Sequence, residues 1–255
     1  MSAAPATTDT HSAPAASARG LSKIYGSGDT AVVALNEVDL DINASEFTAI
    51  MGPSGSGKST LMHCLAGLDS ASSGSVTVGD VELTALKEKK LTALRRDKIG
   101  FVFQAFNLVP TLTAEENILL PLDIAGRKVD REWFDLVVDT VGLRSRLGHR
   151  PSELSGGQQQ RVACARALVS KPEVVFADEP TGNLDSTSSA EVLRFLRTSV
   201  DEYHQTIVMV THDPVAASHC DRVLILRDGE VAGELWHPSR EQILEAMMAQ
   251  TEDTL

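Results

Sequence analysis

One octapeptide constrains this chain more than any other feature. Gly52-Pro-Ser-Gly-Ser-Gly-Lys58-Ser59 is a full G-x4-G-K-[ST] pattern. An apolar run, Phe47 to Met51, precedes it, and Lys58 to Leu68 continues as a predicted helix. Strand, glycine-rich loop and helix, in that order, open an α/β unit whose loop is shaped for phosphate. Gly52, Gly55 and Gly57 let backbone N–H groups curl inward, and the following helix turns its positive end to the same point. Pro53, Ser54, Ser56 and Thr60 complete the expected lining. Lys58 is expected to reach the β- and γ-phosphates of ATP, and Ser59 to offer its hydroxyl to Mg²⁺.

Further along, the apolar strand Glu173 to Ala177 ends in two adjacent carboxylates, Asp178 and Glu179. A second continuous apolar run, Thr206 to Thr211, has the same character. Such runs are buried on both faces of a parallel sheet, and open α/β sheets bind ligands at the ends where these runs turn polar. Asp178 is placed to hold Mg²⁺ through water, and Glu179 to activate or orient an attacking water. A second anion-binding signal is Leu154-Ser155-Gly156-Gly157-Gln158, where a serine and two glycines open a helix. One chain with its own phosphate loop has no need of this second helix end, unless it serves the ATP of another copy.

The intervening segments differ in texture. Arg19 to Met51 is strand-like, with Gly26 to Asp29 as a turn and Val38 to Ile42 alternating like a half-buried strand. Leu83 to Leu154 is mainly helical (Leu86 to Arg96, Asp130 to Val141), with one short strand, Ile99 to Phe103. Gly156 to Ser170 is a long helix, and the end of the chain from Ser239 is helical and then acidic. Residues 1–18, rich in Ala, Ser, Thr and Pro, are expected to form a disordered tail. The implied division is a tail, one ATPase domain over 19–238 with a helical subdomain at about 85–160, and a C-terminal helix with an acidic tail over 239–255.

Charge and composition exclude several roles. The net charge of -12 argues against a nucleic-acid backbone as the main ligand and against direct adsorption to anionic lipid. No apolar run approaches the roughly 20 residues of a membrane-spanning helix, so any membrane role is expected to pass through a partner chain. Three well-separated cysteines, Cys64, Cys164 and Cys220, have neither metal-ligand spacing nor an even count for a disulfide framework.

The phosphate loop, Leu154 to Gln158, Asp178-Glu179, Asn183-Leu184-Asp185 and His212 resemble, in order and spacing, the ATPase subunits of ABC transporters. The resemblance runs from about Leu21 to Gly233. It implies an α/β fold: a P-loop NTPase core with a parallel sheet, an N-terminal antiparallel β-subdomain and an inserted helical subdomain. It also implies roles for single residues. Tyr25 would stack on adenine, Gln104 would touch Mg²⁺ and the attacking water, and His212 would contact the γ-phosphate. Asn183 to Asp185 would cross between two copies, with Asp185 among the residues that bind nucleotide. Two chains would sandwich two ATP molecules, with Ser155, Gly156, Gly157 and Gln158 facing the partner's nucleotide.

A narrower resemblance rests on Ala177 to Asp185 and Gly100 to Pro110. These look like the branch that includes lipoprotein-releasing, macrolide-exporting, haem-exporting and cell-division (FtsE-like) ATPases. That branch implies a permease with few transmembrane helices, docked in a groove beside Gln104, and a location on the cytoplasmic face of the inner membrane. Its alternative role is force transmission to cell-wall hydrolysis without transport. Soluble ABC ATPases of DNA repair carry long coiled coils or zinc sites, and translation-associated ones carry two cassettes; this sequence has none of these.

Overall fold

The computed structural model describes residues 13–252. Its strands in chain order are β1 (Ala16–Tyr25), β2 (Val32–Ile42), β3 (Phe47–Met51), β4 (Ser73–Val78), β5 (Val81–Glu82), β6 (Ile99–Phe103), β7 (Val174–Asp178), β8 (Ile207–Val210), β9 (Arg222–Arg227) and β10 (Glu230–Trp236). They form an antiparallel sheet in the order β2-β1-β4-β5 and a larger sheet in the order β10-β9-β3-β8-β7-β6. In the larger sheet every pairing is parallel except β10 with β9. The helices are α1 (Lys58–Leu65), α2 (Glu88–Lys98), α3 (Ala114–Ala125), α4 (Arg131–Thr140), α5 (Gly156–Leu168), α6 (Ser186–Asp201), α7 (Pro214–Ala217) and α8 (Arg240–Glu252).

The continuous apolar strands have no solvent face. Alternate side chains along each point to opposite sides of the sheet. Ala49, Val175, Ala177, Ile207 and Met209 pack with α5 and α6 on one side. Ile50, Val174, Phe176, Val208 and Val210 pack with α1 and the antiparallel sheet on the other. Strand β10, at the antiparallel edge, alternates exposed and half-covered residues instead.

The register of the parallel strands sets one row of residues across the sheet. Ile50 pairs with Val210, Val210 with Asp178, and Asp178 with Phe103. The segments that leave β3, β8, β7 and β6 therefore start from one edge, and they carry the phosphate loop, His212, Glu179 and Gln104.

Two boundaries differ from expectation. Ala16 to Ala18, assigned to the N-terminal tail, are the first residues of β1, with Ala16 1% and Ala18 0% exposed. Both alanines sit in the buried core cluster and β1 pairs with β2 on one side and β4 on the other, so a stretch of small residues forms a central strand. Residues 1–12 and the acidic tip at 253–255 lie outside the described residues. Ile99 to Phe103, read as a strand within the helical insertion, is the edge strand β6 of the main sheet. The helical excursion beyond it runs through α3 and α4 to α5. There the fully buried Asn117 amide bonds the backbone of Val109, Leu112 and Thr113, fixing the loop before α3.

Phe176 is fully buried between β7 and the antiparallel sheet. Phe176→Ala is expected to cost about 3–5 kcal/mol. Urea denaturation checks this as a lowered midpoint at unchanged slope.

Candidate active site

The phosphate loop is held from below by the antiparallel sheet. Gly57, the N-cap of α1, has φ 97°, and a Cβ there would lie 2.3 Å from the Ala34 carbonyl oxygen of β2. Only glycine satisfies both conditions. The Gly229 N–H donates to Ser56 O at 3.1 Å, and the Asn36 N–H donates to Gly229 O at 2.9 Å, so the β9–β10 turn and β2 brace the loop together. Pro53, Ser54 and Gly55 are exposed at its mouth, as is Ser59 on the first turn of α1, with Thr60 half-buried. Ser56 is 3% exposed and its hydroxyl has no hydrogen-bond partner among the described residues, so any contact it makes with nucleotide passes through its backbone. Lys58 Nζ donates to the carbonyls of Gly52 (3.0 Å) and Pro53 (2.7 Å), which holds the ammonium over the loop. Burial lowers its pKa from the ordinary lysine value, against the opposing pull of the Glu179 and Asp178 carboxylates.

Asp178 ends β7 half-buried. Burial raises its carboxyl above the usual range; His63 and Lys58 oppose that shift and Glu179 adds to it. Glu179 follows with φ 46°, a left-handed backbone that non-glycine residues rarely hold. Its N–H is fixed to Val210 O at 2.9 Å, and its Oε1 lies 2.8 Å from His212 Nδ1. Gln104 and Asn183 bond reciprocally: Gln104 Nε2 donates to Asn183 Oδ1 at 3.3 Å, and Asn183 Nδ2 donates to Gln104 O at 3.0 Å. Lys58, Asp178, Glu179, His212 and Gln104 are thus gathered at one edge of the sheet.

The oxygen donors there suit Mg²⁺. Among the described residues no group of three or more His, Cys, Asp or Glu could hold a metal alone. A cation held mainly by substrate phosphates and water needs only one or two protein oxygens, such as the Ser59 hydroxyl and the Asp178 carboxylate.

Tyr25 stands at the end of β1, 42% exposed. Its hydroxyl donates to Asp69 Oδ2 at 2.6 Å, and Lys23 Nζ lies 4.8 Å from its ring centroid. Lys23 also bonds Asp69 Oδ1 at 2.6 Å. The pair anchors the phenol by its tip. Sequence reasoning missed Lys23 and Asp69 as supports; the i, i+2 spacing of Lys23 and Tyr25 on one strand face was the available signal.

The second anion signal is assembled elsewhere. Ser155 caps α5: its Oγ accepts from Gln158 N at 3.3 Å, and its N–H donates to Gln158 Oε1 at 3.0 Å. The atoms nearest a Cβ at Gly156 belong to Leu184 and Phe106, both at 3.8 Å; at Gly157 they belong to Ser188, with Oγ at 2.4 Å. Neither glycine is next to the phosphate loop of its own chain. Asp185 is the N-cap of α6, accepting from Thr187 N, Ser188 N and Ser188 Oγ. Its carboxylate is engaged within its own helix end, beside Gly157 rather than beside Lys58.

Residues 35–182 match the family model described as ABC transporter. The bacitracin export ATP-binding protein BceA of Halalkalibacterium halodurans is 44% identical over 220 residues, covering 86% of this chain and 87% of its own length. The chain belongs to the ABC transporter family. The macrolide export ATP-binding/permease protein MacB of Neisseria meningitidis serogroup A is 44% identical over 218 residues, which are 85% of this chain and 34% of that longer protein. The dimeric ATP-binding cassette MJ0796, in a post-hydrolysis state bound to ADP and Pi, superposes with a TM-score of 0.78 at 40% identity, covering 88% of this chain and 99% of that one. CbiO1 from Clostridium perfringens, part of a cbiONQ transporter complex, superposes with a TM-score of 0.79 at 27% identity, covering 94% of each chain. This ABC subunit is an ATP-binding ATPase with the α/β cassette fold.

Two outcomes are expected of the ABC site. A carboxyl whose folded pKa is raised contributes stability that is fully present below its unfolded pKa and is lost as pH rises through the folded value. Asp178→Asn should therefore raise the unfolding temperature of the nucleotide-free chain at neutral pH, with the gain shrinking toward acid, while MgATP hydrolysis falls; thermal scans against pH and an ATPase assay check both. Tyr25→Ala should raise the Kd for ATP about five- to hundredfold, from the roughly 1–3 kcal/mol of base–aromatic stacking. Equilibrium titration checks this, with Tyr25→Trp keeping most of the affinity.

Proposed function

We propose that two copies of this chain enclose two MgATP head to tail. Each site takes Lys58, Ser59, Gln104, Asp178, Glu179 and His212 from one copy, and Ser155 and Gly157 from the other. The observation that carries this is the pair of anion-binding helix ends in one chain. Helix α1 opens from the phosphate loop, whereas α5 is capped by Ser155 and its first two glycines face Phe106, Leu184 and Ser188. One γ-phosphate meets both kinds of end only when they come from opposite chains. The dimeric relative MJ0796 supports such a pairing.

Chemistry at the shared site is positional and electrostatic. Lys58 neutralises charge on the β- and γ-phosphates. Glu179 accepts the proton of the attacking water, and His212, already paired with Glu179, reaches the γ-phosphate. Gln104 orients that water from the β6 side, and Tyr25 carries the adenine. Ser59 and Asp178 would hold Mg²⁺, which would supply charge screening to the β- and γ-phosphates.

Closure on ATP and opening after hydrolysis drive a membrane permease with few transmembrane helices. A groove of about 280 Å³ beside Gln104, lined by Phe101, Phe103, Asn107 and Pro121, fits a cytoplasmic helix of that partner. Among the described residues no helix is long and apolar enough to cross a membrane. The subunit then works at the cytoplasmic face of the inner membrane, through its permease. The names of the relatives, bacitracin export and macrolide export, favour export over force transmission alone.

Complementation tests the shared site. Lys58→Ala removes the loop side, and Ser155→Arg blocks the α5 side. Neither variant alone should form an ATP-dependent dimer. A mixture should form a heterodimer with one intact site, read by crosslinking of differently tagged chains. A mixture that crosslinks no better than either variant, while wild-type chains do crosslink, would confine Ser155 to capping its own helix.

A further inference from the structure

Helix α5 carries Ser155 at its start, and two side chains farther along reach the Gln104 loop from both flanks. Gln160, fully buried, donates from Nε2 to Phe103 O at 3.3 Å, immediately before Gln104. The same amide donates to Pro180 O at 2.7 Å, immediately after Glu179. Arg166 donates to Phe106 O at 2.9 Å and to Asn107 O at 2.6 Å, just after Gln104. Phe106 and Asn107 both hold left-handed backbones, at φ 59° and 51°. L-residues seldom hold that conformation in succession without fixed partners. Among the described residues Arg166 has no carboxylate partner, so its charge is directed at these two carbonyls. The helix has no slack against the sheet: a Cβ on Gly100 of β6 would lie 2.4 Å from Ala167 O of α5.

We infer that Gln160 and Arg166 are positioning residues that clamp the Gln104 loop to α5, so that Gln104 and Ser155 move as one body. The inference rests on the roles given to Gln104 and Ser155 under Proposed function. It goes beyond them in naming the groups that tie the water-orienting loop to the helix end offered to the partner's nucleotide. Gln160 extends the tie to the backbone behind Glu179. Arg166 also lines the groove beside Gln104, so a helix seated there touches the clamp directly. Loosening the clamp leaves the phosphate loop and Tyr25 untouched. Hydrolysis should therefore suffer while nucleotide binding does not.

A double-mutant cycle on the full chain tests this, with steady-state kcat and the Kd for ATP measured for each variant. Arg166→Ala should lower kcat roughly ten- to hundredfold, as a misplaced catalytic group does, with Kd changed by less than about twofold. Arg166→Lys, which keeps the charge but not the fork to two carbonyls, should recover part of the loss. Gln104→Ala combined with Arg166→Ala should hydrolyse no more slowly than Gln104→Ala alone, because Arg166 holds only the Gln104 loop. Should Arg166→Ala fail to fold, Arg166→Lys carries the same cycle. Multiplying losses, or a Kd that rises in step with the fall in kcat, overturns the clamp alone. A Gln104→Ala variant with wild-type kcat overturns the role given to Gln104, and the clamp with it.

Discussion

The row of paired residues Ile50, Val210, Asp178 and Phe103 is the constraint on which the rest of the molecule depends. Parallel strands bond at even spacing, so their register is specified chiefly by what their side chains bury. Here alternate residues of β3, β7 and β8 feed separate cores on the two faces of the sheet. A slip of one residue in β7 would drive Phe176 into the space of Val175 or Ala177 and withdraw Asp178 from the edge. The packing that makes the sheet stable thus delivers the phosphate loop, Glu179, His212 and Gln104 to one line.

What gathers along that line is costly to the fold. Burial disfavours the charge on both Lys58 and Asp178. Glu179 adds a left-handed backbone, and its carboxylate is within hydrogen-bond distance of His212. Strain and desolvation of this kind persist where surrounding structure over-determines them. The bracing of the loop by Gly229 and Asn36 and the fixing of the Glu179 N–H by Val210 are such supports. The antiparallel sheet, which carries Tyr25, also forms the floor of the phosphate loop through Ala34.

Much of this was legible in the sequence, because motifs and apolar runs are local. The loop from Gly52 to Ser59, the strands ending at Asp178 and Val210, and the helix from Gly156 are each written in contiguous residues. Groups whose partners are distant in sequence were not. Ala16 to Ala18 look like the rest of a small-residue tail, and only β2 and β4 on either side make them a strand. Phe103 reads equally well as part of a helical insertion until its pairing with Asp178 is known. Asp185 carries a nucleotide role by resemblance, yet its carboxylate is taken up by the start of α6. Gln160 and Arg166 look like ordinary polar positions of a helix, since the carbonyls they hold on the Gln104 loop lie 57 to 60 residues earlier in the chain.

The reciprocal bonds between Ser155 and Gln158 close the start of α5 within a single chain. That end of the helix needs no nucleotide and no second copy to take its shape. In the head-to-tail pair proposed above, two chains would therefore meet as preshaped surfaces, and the ordering entropy of this segment would already have been spent in folding. Encounter would be governed by diffusion and orientation rather than by a slow local rearrangement. Separation would likewise leave each helix end intact, ready for the next collision.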